Sequence, residues 1–254
     1  MRLPRRRRER RRRRPRFGGP PVLFLHAGGM DGRMWRPLAE RLEDRYWVVV
    51  PDLRGHGTTP EPPEEFAHVD DVLAVLDDLK IERTPVVGCS FGGRVALQLA
   101  TAAPERVSAL VLLASSLDID DWSPEIREYW AREEELAEGG DIDGAVELNV
   151  RTWAREPGTE ELIADMTRRA LELQVGVEAS EREMPIDLAS IAVPTLAVSG
   201  GLDFADFARI ADHIAAEVPG AQRAEIADAG HLIPLDRPDA TAELLVPFLE
   251  AVGR

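Results

Sequence analysis

The chain has one cysteine, Cys89, so no internal disulfide can form, and a reducing, cytoplasmic setting is expected. It has one lysine, Lys80, among 31 basic side chains, a bias that a GC-rich genome accounts for. No apolar stretch approaches the roughly 18–20 residues that a membrane span needs. The longest runs are strand-sized, such as Ala109-Leu110-Val111-Leu112-Leu113-Ala114. The basic first residues lead into no apolar segment, so no secretory signal is expected. Histidine and acidic residues show no metal-ligand spacing, and Gly28-Gly29 sits in no dinucleotide-binding frame, so neither metal nor cofactor is expected.

Charge is abundant but unevenly placed. Residues 1–16 hold eleven arginines and one glutamate, whereas the rest of the chain holds 20 basic and 45 acidic side chains. The arginine run has no apolar face to bury and is expected to be a disordered tail. The acidic remainder repels nucleic acid and anionic membranes, which leaves a small molecule as the expected partner.

Hydrophobic residues make up 44% of the chain, enough for the core of one α/β domain. Short apolar strands alternate with helices: strands over 20–26, 46–51, 84–89 and 107–114, and helices over 34–42, 69–79 and 94–102. Continuous apolar strands separated by helices predict a mostly parallel, doubly wound sheet covered on both faces. From 118 to 185 the strand pattern stops. Three helices are predicted there, over 124–138, 142–154 and 159–176, as a helical cap inserted into a core formed by 17–117 and 186–254. Trp122, Trp130 and Trp153 lie in this insertion and are candidates for an apolar wall against substrate. Strands return at 193–199 and 221–227, with helices at 205–218 and 238–252.

The most informative stretch is Val86-Val87-Gly88-Cys89-Ser90-Phe91-Gly92-Gly93. A serine on a sharp strand-to-helix turn needs small neighbours two residues to either side, and Gly88 and Gly92 supply them. The following helix aims its N-terminus at the serine, where its amides favour a developing negative charge. A nucleophilic serine needs a base, and the base needs an orienting acid. His231, in a Gly-His loop after the last strand, is the candidate base. Asp203, after a buried strand and a Gly200-Gly201 turn, is the candidate acid, preferred over Asp118 and Asp120. For the oxyanion the candidates are the backbone amides of Phe91, which follows the nucleophile, and Gly28, where the backbone can approach a ligand closely. His26, in the same loop as Gly28, reads as shaping that loop, with substrate contact as the alternative. His56 reads as structural, His68 and His213 as solvated helix residues, and Cys89 as a small buried side chain.

The order Ser, Asp, His and these motifs make the chain resemble the α/β-hydrolase superfamily, in its broad group of small cap-bearing esterases, lactonases, haloperoxidase-like enzymes and carbon–carbon hydrolases. Matching stretches include Leu25-His26-Ala27-Gly28-Gly29, Pro51-Asp52-Leu53-Arg54-Gly55-His56-Gly57 and Gly230-His231. The resemblance implies Ser90, Asp203 and His231 as a triad, with Gly28 and Phe91 at the oxyanion hole. Two departures stand out. Ala27 replaces the family's usual glycine, and the arginine run occupies the place of an antiparallel strand pair that it cannot form. The expected activity is hydrolysis of a small ester, thioester or lactone. A carbon–carbon hydrolase or haloperoxidase-like enzyme on the same triad, and a non-enzymatic small-molecule receptor that retains it, are the alternatives.

Overall fold

In the computed structural model, the described residues are 19–60, 64–118, 121–177, 180–182 and 184–252. The expected arginine-rich tail and Asp120 lie outside them. Six strands form one sheet: β1 (Pro21–Leu25), β2 (Trp47–Val49), β3 (Thr84–Cys89), β4 (Val107–Leu113), β5 (Thr195–Gly200) and β6 (Gln222–Ile226). Every pairing is parallel, in the order β2-β1-β3-β4-β5-β6. Among the described residues no antiparallel pair precedes β1. The four inner strands are apolar almost throughout and nearly all their residues are buried, as a sheet covered on both faces requires. The last strand, β6, alternates and borders solvent.

The helices are α1 (Arg36–Leu42), α2 (His68–Asp78), α3 (Phe91–Ala102), α4 (Pro124–Glu138), α5 (Ile142–Trp153), α6 (Glu160–Gln174), α7 (Ala205–Glu217), the single turn α8 (Ile233–Asp236) and α9 (Pro238–Val252). The predicted helix from Met34 starts instead as a 3-10 turn, Gly32–Trp35, because Asp31 accepts the Arg33 amide there and α1 begins only beyond it. His68, expected on a solvated surface, is buried: its ring lies edge-on to Phe66 and Phe91, each 5.0 Å away between centroids. It is the first residue of α2 and shares a face with Val72, one turn on, so it belongs to the apolar stripe that α2 turns inward. His213 is exposed, as expected.

The sheet order positions the site. The chain moves outward from β1 to β2 on one side and from β3 to β6 on the other, so β1 and β3 flank the point where the strand order reverses. Leu25 pairs with Gly88, which places the loop after β1 beside the turn after β3. Between β4 and β5 the chain departs for α4, α5 and α6, which pack successively on one another. Ser123, the cap of α4, gives its amide and hydroxyl to buried Asp206 on α7, at 2.8 and 2.6 Å. Farther along, Gln174 at the end of α6 donates to Gly55 O at 3.0 Å. Arg33 pairs with Asp165 on α6 at 2.5 Å. The insertion is thus tied to the sheet domain at several separate points.

Candidate active site

Ser90 is the first element of the site, and its backbone shows what the Gly-x-Ser-x-Gly spacing is for. It has φ 50° and ψ −115°, a left-handed conformation that costs a non-glycine residue about 1–3 kcal/mol. The turn is held by Ser90 N donating to Leu113 O and Ser116 N donating to Ser90 O, both at 3.0 Å. A Cβ on Gly88 would overlap the Gly92 carbonyl, and one on Gly92 would overlap the Leu25 carbonyl. Both arms of the turn therefore pass at backbone distance. The half-buried Ser90 heads α3, whose first amides have no helical partner.

The loop after β1 faces this turn. Ala27 N contacts the Met34 sulfur at 3.3 Å, Gly29 N donates to His56 Nε2 at 3.2 Å, and Met30 N donates to Ala27 O at 3.1 Å. The amide of Gly28 is left with no partner among the described residues. A Cβ on Gly28 would stand 3.6 Å from Phe91 Cβ, so the two open amides belong to adjacent segments. This geometry favours a site for a negatively charged oxygen beside Ser90.

His231 and Asp203 complete the arrangement. His231 Nδ1 and Asp203 Oδ2 are 2.8 Å apart, and their side chains are only 7% and 1% exposed. Asp203 Oδ1 also accepts the Phe204 amide at 2.8 Å. With Nδ1 donating to Asp203, Nε2 is left as an acceptor. The imidazole lies between Trp153 from α5 and Phe207 from α7, at 4.6 and 4.1 Å between ring centroids. The loop carrying it is anchored by Gly230 N donating to Asp236 Oδ2 at 2.8 Å. Ser90 and His231 face one cavity of about 590 Å³, without a direct hydrogen bond between them. Such contacts often tighten only when substrate binds.

The other expected site residues divide. Gly28, Phe91, Trp130 and Trp153 line this cavity. Trp122 does not: it packs edge-on against Trp130 and Phe207, at 4.8 and 5.9 Å, and buttresses the wall from behind. His26 is fully buried away from the cavity; its Nε2 accepts the Leu53 amide and its Nδ1 donates to Ala27 O, both at 2.9 Å. It thus shapes the loop that presents Gly28. His56 does the same from the next turn, accepting Gly29 N while its Nδ1 donates to Arg54 O at 2.7 Å. The role of His56 was legible in the sequence only as a histidine in a Gly-His-Gly turn.

His26, His56 and His68 form a buried group next to Phe91. Burial holds all three below the ordinary histidine value of 6.5: His26 at about 3, His68 at about 4, and His56 shifted in the same direction. The native state binds fewer protons than the unfolded chain, so this stabilisation is complete above pH 6.5 and is lost on acidification through the window down to about 3. Thermal stability should therefore fall as pH drops from 6.5 toward 4, by about 1 kcal/mol per pH unit for each of His26 and His68. His26→Gln should flatten that slope in a melting series. An unchanged slope would contradict the reading of His26 as a buried neutral acceptor.

A family model for the alpha/beta hydrolase family matches residues 22–244. The chain belongs to the alpha/beta hydrolase family. Among the chain's relatives, a 3-oxoadipate enol-lactonase of Acinetobacter baylyi is 27% identical, over 92% of this chain and 90% of that one. A pimeloyl-[acyl-carrier protein] methyl ester esterase of Aeromonas hydrophila is 31% identical over 74% and 79%. A thermophilic esterase from Thermogutta terrifontis superposes with a TM-score of 0.76 at 25% identity, over 94% of this chain and 92% of that one. Some matches are partial: an uncharacterized Mycobacterium tuberculosis protein is 35% identical over 100 residues, 29% of its length.

Proposed function

We propose that this hydrolase cleaves small carboxylic esters, thioesters or lactones through an acyl-enzyme on Ser90. The observation that carries the reading is the convergence of the strained Ser90, the Asp203–His231 pair and two open amides at one cavity. Relatives named as esterases and an enol-lactonase support it, since esters and lactones both require attack on an acyl carbonyl. In this scheme Ser90 Oγ attacks the carbonyl carbon as His231 Nε2 takes its proton. Asp203 keeps the imidazole in the tautomer that can accept and steadies the cation that forms. The amides of Phe91 and Gly28 hold the oxyanion; one such donor contributes about 10²–10³ in kcat. His231 then protonates the leaving oxygen or sulfur. Water, deprotonated by the same imidazole, attacks the acyl-serine, and collapse of the second tetrahedral intermediate releases the acid and restores Ser90.

The helices α4–α6 act in this reading as a cap that supplies Trp130, Trp153 and Tyr129 to the pocket wall. A short p-nitrophenyl ester tests the scheme. The expected result is a pre-steady-state burst of about one p-nitrophenol per chain, the mark of an acyl-enzyme. Hydrolysis with no covalent acyl-protein detectable by intact mass after acid quench would overturn it.

A further inference from the structure

The cavity wall also carries a hydrogen-bonded cluster that the proposed acyl-transfer steps do not use. Trp153 Nε1 donates to the Tyr129 hydroxyl at 2.8 Å, and that hydroxyl lies 2.8 Å from Asn149 Oδ1. Asn149 Nδ2 then donates to Glu133 Oε1 at 2.6 Å. Burial pushes the Tyr129 hydroxyl well above its ordinary range, so it stays a neutral donor, within reach of Asn149 Oδ1 and, at 3.2 Å, of Glu133 Oε1. The half-buried Glu133 carboxylate is thereby held through one oxygen, while Oε2 has no partner among the described residues.

The rest of the wall fits one kind of ligand. Among the described residues it carries two carboxylates, Glu133 and Glu134, and no lysine or arginine. Three aromatic side chains of the insertion, Tyr129, Trp130 and Trp153, share the wall with them. Aromatic faces beside a carboxylate stabilise a cation through the ring quadrupole as well as by charge. Thr167 is a second, independent polar feature of this wall. It lines the same cavity, is 1% exposed, and its Oγ1 has no hydrogen-bond partner. A buried hydroxyl left unpaired costs about 1–3 kcal/mol, which a bound polar group would offset. The chain's net charge of −15 also concentrates cations at its surface and depletes anions.

We propose that the cavity selects ester or thioester substrates bearing a positively charged ammonium group, received by Glu133 against the aromatic wall, and that it discriminates against carboxylate-bearing ones. The inference rests on the reading of this cavity as the hydrolytic site. Three thioesters of matched size test it: butyrylthiocholine, its uncharged isostere S-(3,3-dimethylbutyl) thiobutyrate, and S-butyryl-3-mercaptopropionate. The expected order of kcat/KM is cation, neutral, anion, with at least about tenfold between cation and neutral isostere. Glu133→Gln keeps an oxygen for Asn149 but removes the charge, and should reduce the cation-to-neutral ratio about tenfold. Glu128→Gln, an exposed residue of the same helix away from the cavity, should leave that ratio unchanged.

Equal turnover of cation and isostere, fastest turnover of the carboxylate, or an unaltered ratio in Glu133→Gln would overturn the proposal. Calorimetric binding of choline and of 3,3-dimethylbutan-1-ol to the Ser90→Ala protein separates it from the hydrolytic reading. Preferential binding of choline that Glu133→Gln abolishes supports the cation site even if no thioester is cleaved. Turnover of the thioesters without preferential choline binding leaves the hydrolase standing and removes the cation site.

Discussion

Ser90→Ala is expected to lower kcat on a short p-nitrophenyl ester by about 10⁵–10⁶-fold, because it removes the proposed nucleophile from a set of groups that act as a unit. The residual rate should be that of the oxyanion amides and binding alone. Folding should be almost untouched. Ser90 makes its structural contacts through backbone atoms, with Leu113 O and Ser116 N, and alanine keeps both. The melting temperature of Ser90→Ala should therefore stay within a few degrees of the parent while activity disappears. A variant that hydrolyses the ester within tenfold of the parent rate would show that some other group attacks the carbonyl.

Asp203→Asn should cost about 10⁴-fold in kcat with the structure intact. Asparagine is nearly the same shape, but it would offer an N–H to His231 Nδ1 and so favour the tautomer with its proton on Nε2. That nitrogen could then no longer accept from Ser90. The loss should fall on kcat more than on KM, since Asp203 does not line the cavity. Asp118→Asn serves as the comparison: Asp118 lies on the segment after β4, and the His231 Nδ1 bond goes to Asp203, so its effect should be below about twofold. A larger loss in Asp118→Asn than in Asp203→Asn would reverse the assignment of the acid.

Features set by short-range spacing were legible before any coordinates. Gly88 and Gly92 flank Ser90 because backbone must pass backbone there, and that steric demand is written in adjacent residues. Alternating apolar strands and helices disclosed the parallel sheet for the same reason, and the bounds of α4 and α9 follow directly from proline starts and helical periodicity. Asp203 and His231 could be placed at strand ends, but their 2.8 Å contact depends on how β5 and β6 sit side by side. Tertiary contacts are not written in local spacing. Three tryptophans in the insertion looked equivalent, yet Trp122 turned behind the wall while Trp130 and Trp153 face the cavity. His26 adjoins Gly28 and could be read either as shaping that loop or as a substrate contact; its ring turns inward to the Leu53 amide, which is the first of the two. Tyr129 and Glu133 are one helical turn apart and could have been paired on α4 from sequence. Asn149 and Trp153, which bond to them, come from α5, and nothing in the local pattern announces either contact.

Ser90 is proposed as the residue made nucleophilic by its surroundings. A fluorophosphonate reacts with such serines and spares ordinary ones, so peptide mapping of the labelled protein is the most direct test. One adduct per chain is expected, on Ser90, formed much more slowly in Asp203→Asn. An adduct on another residue, or no labelling of folded protein by excess reagent, would contradict it.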